Sequence, residues 1–185
     1  GARRLESVGC WSLLPTRPKR LGAILVAQGF EGGWQPHWMA LDLKTGPADS
    51  PLPDGVVLRW IRRPDDWQWI EHPYHAYNSG PNWRTTLIRR EKAASRTGRG
   101  LHAIVAWLGE RPVGAATLLI EPRLPKVAGL YDIGVVPDQR NRGIGAEVTA
   151  AACRAARDAG CRWAVLNATE MGAPVYERVG FRSVG

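Results

Sequence analysis

Residues 129–146, which read GLYDIGVVPDQRNRGIGA, constrain the fold of this 185-residue chain more than any other stretch. The segment Leu130–Val136 has the length and the β-branched content of a strand, and Pro137 ends it because proline has no backbone N–H to give to a sheet. After a short basic loop, small apolar residues recur at helical spacing as far as Gly160. The stretch therefore predicts a strand, a tight loop and a helix.

The start of that helix has the composition of a phosphate site. Gly143, Gly145 and Ala146 carry little or no side chain, so a ligand can approach the free N–H groups of the first helical turn. The positive end of the helix dipole favours an anion there, and Arg140 and Arg142 add two guanidinium groups. The loop therefore predicts a ligand that carries a pyrophosphate.

Two common phosphate loops do not match this stretch. The dinucleotide fingerprint requires a third glycine where this chain has Val148, and the Gly-Lys-Ser/Thr of a P-loop is absent from the sequence. The stretch resembles instead the acyl-CoA loop of the GCN5-related N-acetyltransferase superfamily. The matching positions are Val135, Pro137, Arg140, Gly143 and Gly145.

A second motif of the same superfamily follows downstream, in residues 163–181. There the family has a strand, a short helix that carries a tyrosine, and a Gly-Phe pair, and this chain has Tyr176, Gly180 and Phe181 in that order. An ordinary strand-to-helix turn would explain the first motif alone. It does not explain two ordered motifs at the expected separation.

The resemblance implies an α/β (α+β) acyl-CoA N-acyltransferase fold, in which helices flank a mixed central sheet. From residue 56 onward the predicted order is β-α-α-β-β-β-α-β-α. Family members usually continue beyond the Gly-Phe pair into a final strand, whereas four residues follow Phe181 here. Two explanations stay open, a truncated end and a last strand that another segment supplies. The predicted strands are 56–63, 101–108, 113–120, 130–136 and 162–166. Two of the predicted helices span Trp83–Arg96 and 174–179, and two others begin at Trp67 and after Gly145.

The N-terminal residues 1–50 are predicted to form an arm or partial module with its linker, and residues 51–185 to form the acetyltransferase domain. A helix over 19–29 and a strand over 35–43 precede Lys44–Gly55, which contains three prolines and two glycines and is typical of a linker. The helix, Gly29-Phe30 and strand resemble the end of an acetyltransferase domain. Any helix and strand joined by glycine would look similar.

Composition bounds the class of protein. The chain is 44% hydrophobic and 23% charged, which is typical of a soluble globular domain, and no apolar run reaches the ~20 residues of a membrane span. Pro15 interrupts the segment that follows Arg3 and Arg4, so a secretory leader is not predicted and we expect a cytoplasmic protein. Three cysteines suggest neither a disulfide framework nor a metal site. The net charge is +8, but the sequence contains no known nucleic-acid-binding motif, so nucleic acid is not a predicted partner.

By resemblance, the chain takes acetyl-CoA as its cosubstrate and a small-molecule or peptide amine as its acceptor. Backbone groups of the central strand would bind the pantetheine arm, the basic loop would bind the pyrophosphate, and a side chain of the neighbouring strand would reach the pantetheine. Many relatives have asparagine seven residues before the tyrosine, where this chain has Thr169. The cofactor-binding residues are then Ile133, Val135, Val136, Arg140, Asn141, Arg142, Gly143, Ile144, Gly145, Ala146, Asn167 and Thr169.

The resemblance also assigns catalytic residues. Tyr176 corresponds to the residue that protonates the departing CoA thiolate, and its alternative role is packing beneath the Gly-Phe turn. Asp132 is the carboxylate nearest in sequence to serve as general base, although relatives often deprotonate the amine through ordered water. The His72–Tyr77 loop is where acceptor contacts are expected, its alternative being a packed loop.

Two functions of different classes stay open at this point. One is an acetyl-CoA-dependent N-acetyltransferase, and the other is a non-catalytic module that binds CoA and serves regulation or interaction. The intact loop together with Tyr176 favours the enzyme. The acceptor and the oligomeric state, a homodimer included, cannot be deduced from the sequence.

Overall fold

The computed structural model describes residues 17–32, 37–48, 51–70, 73, 89, 93 and 100–184. Residues 1–16, the predicted acceptor loop His72–Tyr77 except Pro73, and most of the predicted helix Trp83–Arg96 lie outside the described residues. The chain divides into two compact units, one made of Gly1–Gln35 with Gly185 and the other of Pro36–Val184.

The first unit contains the predicted N-terminal helix. This helix, α1, spans Leu21–Ala27. It ends where Gly29 adopts a positive φ of 87° and the Phe30 N–H donates to the Leu25 carbonyl oxygen at 3.0 Å. A left-handed glycine after the last turn is a common way to end a helix, so the stop that the sequence predicts at Gly29 is present.

The second unit contains a mixed sheet, which confirms the predicted fold class. In the described residues the strands run in the order β2-β3-β4-β5-β6-β1-β7. The β5–β6 pair is parallel and the other pairs are antiparallel. The strands are β1 (His37–Asp42), β2 (Val56–Trp60), β3 (Gly100–Leu108), β4 (Arg111–Ile120), β5 (Val127–Val135), β6 (Trp163–Ala168) and β7 (Arg182–Ser183).

Among the elements that the structure describes, two α-helices and two short 3₁₀ helices accompany the sheet: α2 (Ile144–Asp158), α3 (Ala173–Val179), Pro64–Ile70 and Pro137–Gln139. The helix predicted at Trp67 is thus a 3₁₀ helix. Its Trp67 and Ile70 are both buried against β3, because residues three apart lie on one face of a 3₁₀ helix. Among the described helices, none combines the length and the apolar character that a membrane-spanning segment requires.

Strand β1 belongs to the main sheet and not to a separate arm. It pairs antiparallel with β6 from His37 opposite Ala168 to Asp42 opposite Trp163, and it also pairs with β7. Asp42 accepts two hydrogen bonds, of 2.5 and 2.6 Å, from the Arg162 guanidinium. The division predicted at residue 50 therefore does not coincide with the structural one after Gln35. A two-residue strand, β7, follows the Gly-Phe pair, but the strand that pairs along the edge of β6 is β1.

The segment predicted as a linker is attached to the sheet unit. The Ala48 N–H donates to the Val179 carbonyl oxygen at 2.9 Å, at the end of α3. Prolines and glycines forbid regular structure in this segment, but they do not prevent it from following a surface closely. The described part of the connection between β1 and β2 is therefore hydrogen-bonded to the sheet unit at Ala48.

Helix α2 lies close to one face of the sheet because small residues line the contact. Its inner side is made largely of alanines and is fully buried. Gly114 of β4 is required for the approach of the first helical residue, because a Cβ at Gly114 would lie 2.8 Å from Cγ2 of Ile144. The start of α2 is thereby held directly over the end of β5.

The two described cysteines are structural. Cys153 of α2 and Cys161 are both buried. Burial raises the pKa of the Cys153 thiol to about 12 and raises that of Cys161 as well. Since the thiolate is the reactive form, neither side chain is a nucleophile at neutral pH.

Two truncated variants test the boundary. A variant that begins at Pro36 keeps every strand of the sheet, and we expect its free energy of unfolding to stay near the value for the sheet unit in the full chain. A variant that begins at Pro51 lacks β1, with the buried Met39, Leu41 and Leu43. It should lose about 4 kcal/mol or more, because each such side chain contributes about 1.5–3 kcal/mol. Urea unfolding followed by tryptophan fluorescence compares them, and equal stabilities would contradict the assignment of β1 to the core.

Candidate active site

A cavity of about 800 Å³ opens where β5 ends and α2 begins. One wall is the end of β5, a second is the loop and first turn of α2, and a third is the segment that leads into α3. Among the described residues that line it, the charged ones are Arg140 and Arg178, and both are basic. The cavity therefore suits a large anionic ligand.

The loop presents its backbone to this cavity. Gly143 precedes α2 with a φ of 83°, which glycine adopts without steric cost, and its carbonyl oxygen accepts from the Glu147 N–H at 3.0 Å. A Cβ on Gly145 would lie 3.5 Å from Val135 and 3.8 Å from Val175. A larger side chain at Gly145 would thus occupy the space between the first helical turn and α3, where an anion could reach the helix N-terminus.

The two arginines of the loop differ in position. Arg140 lines the cavity, and its Nε donates to the Val135 carbonyl oxygen at 3.2 Å. Arg142 is exposed, does not line the cavity, and donates through Nη1 to Oε1 of Gln139. Of the two arginines predicted to bind phosphate, Arg140 lines the cavity and Arg142 does not.

An ion pair attaches the loop to the sheet. Arg111, the first residue of β4, donates two hydrogen bonds of 2.7 and 2.8 Å to the carboxylate of Asp138, and Gln139 adds a third of 3.1 Å. The Arg111 guanidinium holds the pKa of Asp138 far below its usual range. Two parallel bonds fix orientation as well as distance, so this pair restrains the loop just ahead of Arg140.

Strand β5 separates from β6 after its third residue but stays paired with β4 as far as Val135. Its pairing with β6 ends at Gly129 opposite Val165, and its register with β4 shifts where Asp132 adopts a positive φ of 53°. Such a bulge bends the strand and turns a side chain. Asp132 therefore lines a second cavity of about 250 Å³, between the separated ends of β5 and β6.

Tyr176 lies where the two cavities meet. It is one of three residues that line both, the others being Ile133 and Thr169. Its ring is buried and packs edge to face on Phe181, with ring centroids 6.1 Å apart. The Tyr176 side chain thus packs on Phe181 and also borders both cavities.

Most of the residues predicted to bind the cofactor line the larger cavity: Ile133, Val135, Arg140, Asn141, Gly143, Ile144, Gly145, Ala146 and Thr169. Three do not. Val136 is buried against α2 and its N–H already donates to the Val113 carbonyl oxygen at 2.9 Å. Arg142 is exposed, and Asn167 lines the smaller cavity with Asp132.

The sequence interpretation missed several lining residues. Val175 lies on the same face of α3 as Arg178 and Val179, and helical spacing from Tyr176 could have suggested only Val179. Ala48 and Pro51 also line the larger cavity. No local signal identifies these two, because they reach it only through the attachment of their segment to α3.

Comparisons with known proteins agree with this geometry. The model of the acetyltransferase (GNAT) family matches residues 58–181. A glucosamine 6-phosphate N-acetyltransferase from Trypanosoma brucei brucei is 34% identical over 77 residues, which make up 40% of this chain and 52% of that protein. The chain thus spans about half the length of this curated relative.

Two solved structures are similar in fold. A GCN5-related N-acetyltransferase from Kribbella flavida superposes with a TM-score of 0.66 at 21% identity, over 89% of this chain and 60% of that one. An acetyltransferase from Trypanosoma brucei superposes with a TM-score of 0.57 at 26% identity, over 70% of this chain and 94% of that one. Acetyltransferases of this family use acetyl-CoA as their cosubstrate.

If CoA binds in the cavity at the start of α2, a negative charge introduced at Gly145 should weaken its binding. Gly145→Glu should weaken CoA binding at least about a hundredfold, because a carboxylate would stand between the phosphates and the helix N-terminus. Gly22→Glu is the matched control, since a Cβ at Gly22 would meet nothing within 4 Å. Calorimetric titration with CoA measures both variants, and an unchanged affinity for Gly145→Glu would refute the assignment of the cavity.

The Arg111–Asp138 pair makes a second prediction. Arg111→Met should weaken CoA binding a few-fold, since exposed ion pairs have small effects. The folded pKa of Asp138 is depressed, so the pair persists above the unfolded value of about 3.9 and is lost only as pH falls through the lower folded value. The ratio of parent to variant affinity should hence stay constant from pH 8 to 5.

A matched control for this measurement is Arg157→Met, which removes a looser ion pair of 3.6 Å with Asp158 at the far end of α2. We expect this variant to bind CoA as the parent does. Equal effects of Arg111→Met and Arg157→Met would show that general charge, and not loop orientation, controls CoA affinity.

Proposed function

The chain belongs to the acetyltransferase (GNAT) family, and we propose on that basis that it transfers an acetyl group from acetyl-CoA to a primary amine. The observation that carries the proposal is the position of Tyr176 between two cavities of opposite character. The larger cavity carries basic side chains and a helix N-terminus, and the smaller one carries the carboxylate of Asp132.

The larger cavity would hold the cofactor. The first turn of α2 and Arg140 would bind the pyrophosphate, because backbone N–H groups and a guanidinium converge there. The pantetheine arm would follow the end of β5, which lines the larger cavity with Ile133 and Val135 beyond the point where pairing with β6 ends. This path would bring the thioester to Tyr176.

The chemistry then follows from the side chains around that point. The amine nitrogen attacks the thioester carbonyl, the C–S bond breaks, and the CoA sulfur leaves as a thiolate. Tyr176 would donate its phenolic proton to that thiolate, since a phenol is protonated at neutral pH and can act as an acid. Asp132, or water held by it, would take a proton from the amine.

For the acceptor we propose a chemical class, that of small amines. The curated relative is named for glucosamine 6-phosphate, and since this chain spans half of that relative, an amino sugar phosphate is one acceptor to test among small amines. We also propose a cytoplasmic location, as the sequence predicts, and action on a small soluble amine and not on nucleic acid or a membrane. The homodimer is left open.

Replacement of Tyr176 tests the enzyme against the non-catalytic CoA-binding alternative. Tyr176→Phe keeps the ring and its packing on Phe181 and removes the hydroxyl donor. Affinity for acetyl-CoA should stay within about twofold, whereas the rate should fall by about 10²–10⁴-fold, the usual contribution of general acid catalysis. Steady-state thiol release with an acceptor, or slow thioester hydrolysis without one, measures the rate.

The packing control is Phe181→Leu, which disturbs the edge-to-face contact and leaves the phenol in place. A large loss of stability with little loss of rate per folded molecule is expected of it. If Tyr176→Phe turns over as fast as the parent, Tyr176 is a packing residue. If the parent binds acetyl-CoA but transfers to no amine and hydrolyses no thioester, the non-catalytic alternative is favoured.

A further inference from the structure

Asn167 lies apart from the loop that binds phosphate. It follows the point on β6 where pairing with β5 ends, and it lines the smaller cavity together with Asp132. It does not line the larger cavity. The residue that family resemblance assigns to the cofactor is therefore on the opposite side of Tyr176 from the phosphate site.

The side chain of Asn167 carries an unused hydrogen-bond acceptor. Within the described part of the chain, two buried side-chain polar atoms have no hydrogen-bond partner, Oγ1 of Thr117 and Oδ1 of Asn167. Of the two residues, only Asn167 lines one of the two cavities described above. A buried acceptor left unsatisfied is costly, so a ligand that brings an N–H to Asn167 would be favoured.

The charge of the smaller cavity selects the kind of ligand. Its described lining includes the carboxylate of Asp132 and no lysine, arginine or histidine. In contrast, the charged residues in the described lining of the larger cavity are both arginines. The charge of the described lining is thus negative on the Asp132 side of Tyr176, which favours a cation, and positive on the other side, which favours an anion, although the chain as a whole carries a net charge of +8.

We propose that Asn167 and Asp132 together bind the nitrogen of the acceptor, and that the acceptor is a cationic primary amine with no anionic group near that nitrogen. The inference rests on the proposed function and narrows its substrate class. Asn167 Oδ1 accepts one N–H and the Asp132 carboxylate accepts another. Thr169 contributes less to such a site, because its Oγ1 already accepts from the Gly172 N–H at 3.1 Å.

An amide at this position also suits the chemistry better than a second carboxylate would. Transfer requires the amine to lose a proton before it attacks, and each additional negative charge stabilises the protonated, unreactive form. Asn167 supplies an acceptor without supplying a charge. Because Asn167 is uncharged and Asp132 is charged, replacement of Asn167 should change the kinetics in a way that replacement of a merely structural asparagine would not.

The experiment compares Asn167→Leu and Asn167→Asp with the parent, using 1,4-diaminobutane and 3-aminopropyl phosphate as acceptors. The parent should prefer the diamine by at least about tenfold in kcat/KM. Asn167→Leu should raise KM for the diamine about ten- to a hundredfold, the loss expected for a hydrogen bond to a charged group, with KM for acetyl-CoA unchanged. Asn167→Asp should lower KM for the diamine and also lower kcat at neutral pH.

Thr117→Val is the matched control, because it removes the other unpartnered buried atom without touching either cavity. It should leave both KM values unchanged. The inference is overturned if Asn167→Leu raises KM for acetyl-CoA instead, if 3-aminopropyl phosphate is the better acceptor, if Thr117→Val matches Asn167→Leu, or if the parent hydrolyses acetyl-CoA slowly but transfers to neither amine. A parent that does not bind acetyl-CoA in calorimetry would refute the proposed function as well.

Discussion

The separation of β5 from β6 is the constraint on which the rest of the site depends. The two strands pair in parallel only from Val127 to Gly129, and the bulge at Asp132 then turns β5 away. Beyond Gly129 the backbone of β5 takes no part in a ladder with β6. Both cavities lie beside this part of β5, and Ile133 lines both of them.

The position of α2 is a second constraint on the site, and it results from close packing between the helix and the sheet. Gly114 leaves no side chain beneath Ile144, so the first turn of the helix rests directly on the sheet near the end of β5. The Arg111–Asp138 pair then restrains the loop between them. Because the proposed anion site consists of backbone N–H groups, its geometry would be only as exact as the placement of this helix, and a methyl group at residue 114 would displace the helix.

The sequence predicts what is local and leaves open what is not. The strand and helix around the Gly-x-Gly motif, the stops at Gly29 and Gly160, and a strand over β1 all follow from patterns of a few residues. The neighbour of β1 does not, because pairing Asp42 with Trp163 joins residues far apart in the chain. Likewise, the alternation along β6 places Asn167 on one face, but only the divergence of β5 determines which cavity that face borders.

The charged residues described around the site are divided between its two cavities. Arg140 and Arg178 line the larger cavity, and Asp132 lines the smaller one. A phenol at residue 176, which lines both cavities, carries no charge in its protonated form. A lysine or a carboxylate there would attract a ligand in one cavity and repel a ligand in the other, so an uncharged side chain suits this division of charge.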